Sequence, residues 1–535
     1  MDGKAYRLGV DVGGTNTDAV IIREHDGQGE AKGTVGAGGT LAVVASKKVP
    51  TTADIHGGIE AAVKAVLDES GIDRKCIRKA MLGTTQCTNA IVERKRLSNV
   101  GVLRIGAPAT TGITPMVDWA DDLAAVAVET AVIRGGYEFD GKPVAEFDRD
   151  AARAFFERCK AKGVTSVAIS QLFSVVRDEN EAEAAAILRE VMGNEVYISR
   201  SSKIGSMGLI ERENATILNA ALFEVARAFT EGFVTSLREQ GVTEADIYFS
   251  QNDGTLMNRD NARRYPILTI ACGPTNSIRG ASHLSQLSNA VVIDIGGTTT
   301  DFGILQNGFP RESGVAVTIG GVRTNFRMPD VISIGLGGGS IVRENGGVVT
   351  VGPDSVGYEL TKKALVFGGD TLTATDIAVR CGLADVGDAS RVARLDKSIA
   401  EKAQKRIVEM VEESLDSIKT SSEDIDVILV GGGSILLPEK IAGAKNLYKP
   451  PHFAVANAIG SAISKVSGVY EKLVSFNDVP REKALEDGKA EAVKLAIQAG
   501  AKPDTVEIVD VEEVPLQYQP NNTNRVKVKA AGELA

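Results

Sequence analysis

The stretch Val291-Val-Ile-Asp-Ile-Gly-Gly-Thr-Thr-Thr-Asp301 decides the fold, because Leu8-Gly-Val-Asp-Val-Gly-Gly-Thr-Asn-Thr-Asp18 nearly repeats it. Six of the eight positions in DVGGTNTD and DIGGTTTD are identical. In each copy an apolar run of strand character delivers an aspartate, then two glycines and a polar cluster. Paired glycines allow main-chain N–H groups to come close to phosphate oxygens, and threonine hydroxyls add further donors. The aspartate at the strand end would repel a phosphate. It suits a hydrated divalent cation instead, as magnesium prefers. One such octad is also what an ordinary Gly-Gly hairpin after a strand looks like. Two copies point to a shared site, with Asp11 and Asp294 as the metal carboxylates.

At 535 residues the chain is too long for one compact core, so several domains are expected. The formal charge of −10, without a long basic stripe, lacks the electrostatic footprint of nucleic-acid or anionic-membrane binding. A small-molecule partner is expected. Five cysteines, at 76, 87, 159, 272 and 381, show no CxxC spacing, which argues against structural zinc or a disulfide framework. The first residues, MDGKAYRLGV, carry no signal-peptide pattern, and apolar runs such as Ile425 to Val430 are strand-sized. A cytoplasmic location is the expectation.

Residues 7–12, 18–24 and 41–49 read as three strands, followed by a helix capped within Thr51-Thr-Ala-Asp54 and closed by Gly71. A β-β-β-α order with the phosphate turn between strands excludes the simplest dinucleotide-binding reading, in which glycines precede a helix. After a strand near 77–82, Gly83-Thr-Thr85 opens a helix whose N-terminus could face the same cleft, making Thr85 and Asn89 substrate candidates. Plain N-capping also explains that segment and is the preferred reading of the sequence alone. Strands are expected at 99–105 and 126–134, with Trp119 between them read as a packing residue. From 148 to 199 helix and strand alternate, which predicts a parallel sheet.

Residues 211–240 read as one long amphipathic helix. Its polar start offers Glu213, Asn214 and Asn219 either to a substrate or to the helix dipole. Polar turns at 251–255 and 271–277 add Asp253 and Gly273 to the substrate candidates. Two further glycine-rich turns follow strands: Gly337-Gly-Gly339 as a backbone platform, and Gly431-Gly-Gly-Ser434, whose bare backbone could flank an adenine or ribose. Residues 453–462 form a small-residue helix suited to close packing. The last sixty or so residues read as a helix and two strands.

Two Asp-x-Gly-Gly-Thr turns and a later strand with Gly-Gly-Gly-Ser resemble the actin-like ATPase superfamily. Within it, GVDVGGTNTDAV, LGTTQCTNAIVERK, NATILNAAL, QNDGTL, CGPTNSIRGA, DIGGTTTDFG, SIGLGGGSIV and VGPDS resemble the hydantoinase A and 5-oxoprolinase family, spread over residues 7–385. That resemblance implies an α/β fold of two ribonuclease H-like lobes, placed here at residues 1–200, with an inserted subdomain, and 201–470; the tail at 471–535 reads from its own residues as a small α/β appendage and fits the longer family members poorly. The resemblance also implies ATP and Mg2+ between the lobes, ATP-dependent opening of a cyclic amide such as a hydantoin or lactam, and a hydantoinase B-type subunit as partner.

Carried over by residue, Gly13, Gly14, Thr15, Asn16 and Thr17, with Gly296, Gly297, Thr298, Thr299 and Thr300, would bind phosphates. Gly431 to Ser434 would hold the nucleoside end, and Asp11 and Asp294 the magnesium. Asp18 and Asp301 would either hydrogen-bond their loops or act on a water; Asp301 joins Asp11 and Asp294 as a catalytic candidate. Cys272-Gly-Pro-Thr-Asn276 departs from the family's Ser-Gly-Pro-Ala-Gly, and Val356-Gly-Tyr-Glu359 from its Pro-Gly-Pro-Ala-Cys-Tyr. Two alternatives share the same turns: a small-molecule kinase, and a nucleotide-driven clamp or reactivating protein.

Overall fold

A computed structural model describes residues 5–24, 42–51, 55–313, 317–326, 328–516 and 522–535. The expected helix cap at residues 52–54 and the glycine-rich segment after residue 24 lie outside them. Tyr6–Val12 runs antiparallel to Asn16–Arg23, which pairs antiparallel with Ala42–Pro50. On the other side Ile77–Thr84 joins the first strand in parallel, and Asp246–Ser250 follows in parallel. The same order recurs in a second sheet. Ala290–Ile295 is antiparallel to Thr300–Gln306, which pairs with Val331–Ile334, while Ile425–Val430 and Ala444–Tyr448 add in parallel on the far side. The duplicated octads are thus the tips of two equivalent hairpins in two equivalent sheets.

Between its base and the aspartates near its tip each hairpin is largely apolar, because both its faces are covered. Leu8, Val10, Ala19 and Ile21 pack with Ile59, Val63 and Val66 of helix Ile55–Ser70. Alternate residues Val20 and Ile22 pack against Ala458, Ile459 and Ala462 of helix Ala456–Ile463. The period-two alternation of a strand sends neighbours to opposite layers. That second helix lies against helix Cys272–Ser285, and small residues permit the approach. A Cβ added to Gly280 would lie 1.8 Å from the Ala456 carbonyl oxygen, and one added to Gly460 would lie 1.8 Å from that of Asn276. Cys272–Ser285 also packs with the second sheet, where Ile278 and Ala281 meet Val292, Leu305, Ile428 and Val430. The helix pair therefore joins the two sheets.

The alternating region forms a separate parallel sheet of Val100–Ala107, Ala127–Arg134, Ser166–Gln171 and Tyr197–Arg200, with its own core of Leu103, Ile105, Phe155, Phe156 and Ile169. Three expectations need correction. The single helix over 211–240 is two, Leu209–Ala221 and Phe223–Glu239, meeting at Leu222. A lobe boundary at residue 200 fails, because Asp246–Ser250 and Leu256–Asn258 belong to the first sheet. The insertion at 100–200 merely delays the first sheet's fifth strand. Residues 471–535 are no appendage either: Val466–Ser475 joins Leu256–Asn258 and pairs with Thr523–Gly532, which pairs with Glu507–Pro515. These strands extend the first sheet to nine, and Ala492 and Ala496 of helix Arg481–Gln498 cover them with Val526 and Val528.

Candidate functional site

Each hairpin tip closes through the same bond. The Gly13 N–H donates to the Asn16 carbonyl at 3.0 Å and the Gly296 N–H to the Thr299 carbonyl at 2.9 Å. The tips face one another, with the Thr15 and Thr298 hydroxyls 3.1 Å apart. The first tip is braced by Thr51, whose N–H donates to the Thr15 carbonyl and whose hydroxyl donates to the Gly13 carbonyl at 2.9 Å each. Thr17 is buried beside the Thr51 hydroxyl at 3.3 Å. The second tip is braced differently. The Gly338 N–H donates to the Gly296 carbonyl at 3.0 Å, the Gly339 N–H to the Gly297 carbonyl at 2.7 Å, and the Thr300 hydroxyl to the Leu336 carbonyl at 2.7 Å. Gly337 to Gly339 thus form a platform under the turn with all three of their N–H groups already used, since the Gly337 N–H donates to the Ser340 hydroxyl at 2.8 Å.

Asp11 opposes Asp18 across the first hairpin, and Asp294 opposes Asp301 across the second. Like charges set directly opposite each other on a sheet are unfavourable without compensation. Here it comes from elsewhere in the chain. Asn276 donates to Asp11 Oδ1 at 2.9 Å and Asn457 donates to Asp11 Oδ2 at 3.1 Å, one from each helix of the joining pair. The next residue, Ser277, donates its hydroxyl to Asp294. Consecutive residues of one helix therefore hold both metal candidates. Lys48 reaches the Asp18 carboxylate at 2.6 Å, and Ser333 donates to Asp301.

Burial, joined by the charges of Asp18 and Asp294, pushes Asp11 up to about 6 against the opposing hydrogen bonds. Burial and the Asp294 charge push Asp301 up to about 7. Asp294 is also raised by burial, and Asp18 is raised by burial despite Lys48. A cluster in which every carboxylate resists ionisation attracts a cation. Among the described residues no group of three or more His, Cys, Asp or Glu forms a ready metal cage. Mg2+ commonly takes one or two carboxylates and fills its octahedron with water and phosphate oxygens. Asp11 and Asp294 would supply those carboxylates, and the buried Asn276 Oδ1, on the residue that bonds Asp11, has no partner.

The third glycine turn packs onto the second hairpin. Gly431 has φ +84°, and a Cβ there would lie 2.1 Å from Asp294 Oδ1, so only glycine fits on both counts. A Cβ on Gly433 would lie 2.6 Å from the Gly296 carbonyl oxygen. Ser434 is buried and its hydroxyl has no partner.

The substrate candidates divide. Thr85 donates its hydroxyl to the Val12 carbonyl at 3.3 Å, and a Cβ on Gly273 would lie 3.8 Å from its methyl group. Both therefore sit beside the first hairpin, at the start of helices Gln86–Glu93 and Cys272–Ser285; Asn89 is exposed on the former. Glu213, Asn214 and Asp253 are engaged elsewhere, which corrects their assignment. Glu213 is buried in an ion pair with Arg104, at 2.5 and 2.7 Å, and accepts from Ser170 at 2.6 Å. The alternation that places Arg104 inside the inserted sheet demands a buried anion. Unpairing such a charge costs about 3–5 kcal/mol, so Glu213 is committed there. Asn214 accepts from the Trp119 indole at 2.9 Å and donates to the Arg323 carbonyl, while Asn219 donates to the Tyr197 hydroxyl at 2.7 Å. Asp253 pairs with Lys529 of the C-terminal strand at 2.8 Å.

Lys48, Asn276, Ser277, Ser333 and Asn457 were not legible as site residues. Their contacts bridge up to 446 positions of chain. One local signal existed: Asn276 closes the segment that departs from the family pattern.

Residues 7–192 match the hydantoinase/oxoprolinase N-terminal region and residues 212–388 the hydantoinase/oxoprolinase domain. The alpha subunit of caprolactamase from Pseudomonas jessenii is 26% identical over 501 residues, covering 89% of this chain and 68% of that subunit. The gamma subunit of acetophenone carboxylase from Aromatoleum aromaticum is 24% identical over 531 residues, covering 87% and 69%. The 5-oxoprolinase of Saccharomyces cerevisiae is 27% identical over 234 residues, 43% of this chain but 18% of that enzyme. The crystal structure of the ATP-dependent caprolactamase from P. jessenii superposes with a TM-score of 0.74 at 20% identity, covering 99% of this chain and 88% of that one. Nucleotide-free acetone carboxylase superposes with a TM-score of 0.68 at 18% identity and the same coverage. The two-lobed α/β fold is shared with both, and the chain belongs to the hydantoinase/oxoprolinase family.

Proposed function

We propose that this chain is an ATP-dependent hydrolase that opens a cyclic amide, a hydantoin, 5-oxoproline or related lactam, as the ATP-using component of a two-part enzyme. The observation that supports this most is the pair of facing glycine hairpins, each presenting an aspartate that one helix holds through Asn276 and Ser277. An unactivated amide resists water. Transfer of the γ-phosphoryl group to its oxygen gives ADP and an O-phosphorylated intermediate with an electrophilic carbon. Water then adds to that carbon, the ring C–N bond breaks as the nitrogen takes up a proton, and the acyl phosphate left behind is hydrolysed by a second water to the carboxylate and inorganic phosphate. The turns of residues 13–17 and 296–300 would cradle the phosphates through their hydroxyls and the N–H groups not used in closing each hairpin, Gly431 to Ser434 would take the nucleoside, and Asp11 and Asp294 would hold Mg2+. That ion, when bound, neutralises charge on the phosphates. Asp301, with its raised pKa, can take the proton of the attacking water near neutral pH. Thr85, Asn89 and Gly273 mark the side from which the ring enters.

The partner is a hydantoinase B-type subunit, in line with relatives that are themselves named as subunits. Among the described residues no helix is long and apolar enough to cross a membrane. Lactam opening and ketone carboxylation, the reactions named for the relatives, share the need to activate a carbonyl oxygen. A screen of hydantoins and lactams, with ketones plus bicarbonate as a separate arm, is therefore scored by substrate-stimulated ADP release with and without a B-type subunit. Ring opening is the expected product. A stable phosphate ester would indicate a kinase, and turnover needing only a protein partner would indicate a clamp. Asp294→Asn should lower Mg2+-dependent turnover by roughly 100-fold or more, the scale of losing a principal charge at a phosphoryl-transfer site. Unchanged turnover would remove the metal role. An ATP analogue should protect residues 291–301 and 431–434 from hydrogen exchange.

A further inference from the structure

Five strands of each sheet correspond in order and direction, and the correspondence makes one difference conspicuous. In each sheet the aspartate that closes the hairpin is met by a residue on the third strand at the same register: Asp18 opposite Lys48, Asp301 opposite Ser333. One lobe places an ammonium where the other places a hydroxyl. Lys48 also approaches the third glycine turn. A Cβ on Gly432 would lie 3.9 Å from Lys48 Cε, so the lysine stem lies along backbone of the opposite lobe. Its positive charge is felt at Asp294 as well as at Asp18. The Lys48 side chain is 31% exposed while its partner Asp18 is 2% exposed, so the buried anion anchors a cation that retains access to the cleft.

A triphosphate entering between Asp11, Asp18, Asp294 and Asp301 adds negative charge to four carboxylates. One divalent ion balances only part of this. We propose that Lys48 is a phosphate-binding residue of the transfer step: its ammonium, positioned by Asp18, turns to the oxygens of the transferring phosphoryl group. This rests on the assignment of ATP to the cleft. An ammonium has three donors, so it can keep Asp18 while gaining a phosphate oxygen. Because that contact is to the terminal phosphoryl, it discriminates triphosphate from diphosphate.

The test is calorimetric binding of ADP and of a non-hydrolysable ATP analogue, each with Mg2+, to the full-length chain. Lys48→Met should weaken the analogue roughly 10–100-fold, the scale of a charged hydrogen bond, and leave ADP within about threefold. Lys48→Arg should recover part of the loss. Lys48→Met also leaves Asp18 unpaired, so the double variant Lys48→Met/Asp18→Asn is measured too. It should regain thermal stability without regaining analogue affinity. Equal losses for both nucleotides, no loss, or recovery of affinity in the double variant would each overturn the proposal. If the unaltered chain binds neither nucleotide, the assignment of ATP itself fails, and this proposal with it.

Discussion

Asp301 and Asp11 tie the site to pH. Ordinary aspartates titrate near 3.8, whereas these are held at about 7 and about 6. Between those limits the native protein keeps protons that the unfolded chain has released, so its stability is greatest at the acidic end and falls as pH rises through the window. The melting temperature without nucleotide should therefore climb as pH is lowered from about 7.5 to about 5.5, a range set by these two shifts. Asp301→Asn should flatten the upper part of that climb. An identical pH profile in wild type and variant would refute the shift at Asp301. Nucleotide affinity should move the other way, because protonated carboxylates no longer attract the metal. The site thus trades apo stability for cation affinity, as functional carboxylates do.

At the scale of elements, the helix pair decides the geometry. Cys272–Ser285 delivers Asn276 and Ser277, and Ala456–Ile463 delivers Asn457, so any change in their separation moves the donors to Asp11 and Asp294. Gly280→Ala probes this spacing. Alanine favours helix over glycine by about 1 kcal/mol. Against that, the new methyl would sit 1.8 Å from the Ala456 carbonyl oxygen, which is backbone and cannot rotate away. Overpacking typically costs about 1–3 kcal/mol, so the clash prevails. Gly280→Ala should lower the melting temperature and weaken nucleotide binding together. A rise in melting temperature would show that the helices part freely. The small-residue character of 453–462 was readable as a packing signal, but its partner was not, because the two helices lie far apart in sequence.

At the scale of the molecule, the C-terminal strands are structural to the first lobe. Val466–Ser475, Thr523–Gly532 and Glu507–Pro515 continue its sheet, and Lys527 and Lys529 reach Glu312, just beyond the second sheet's strand Phe309–Pro310, at 3.2 Å each. Removal of residues 466–535 should therefore abolish cooperative folding of the first lobe by exposing Met81 and Leu256, which pack in the core these strands build. A soluble truncation with a sharp melt and intact nucleotide binding would restore the idea of an independent appendage.

The sequence by itself determined the duplicated hairpins, their glycine turns and aspartates, and most strands and helices. Period-two and helical apolar spacing, and the steric demands of tight turns, are local properties written in neighbouring residues. It could not determine that Glu213 neutralises Arg104, that residues 246–258 and 466–532 return to the first sheet, or that Lys48, Asn276 and Asn457 surround the aspartates. Those outcomes depend on which buried charge meets which partner across hundreds of positions. That is settled by the free energy of the packed whole, and no short segment records it.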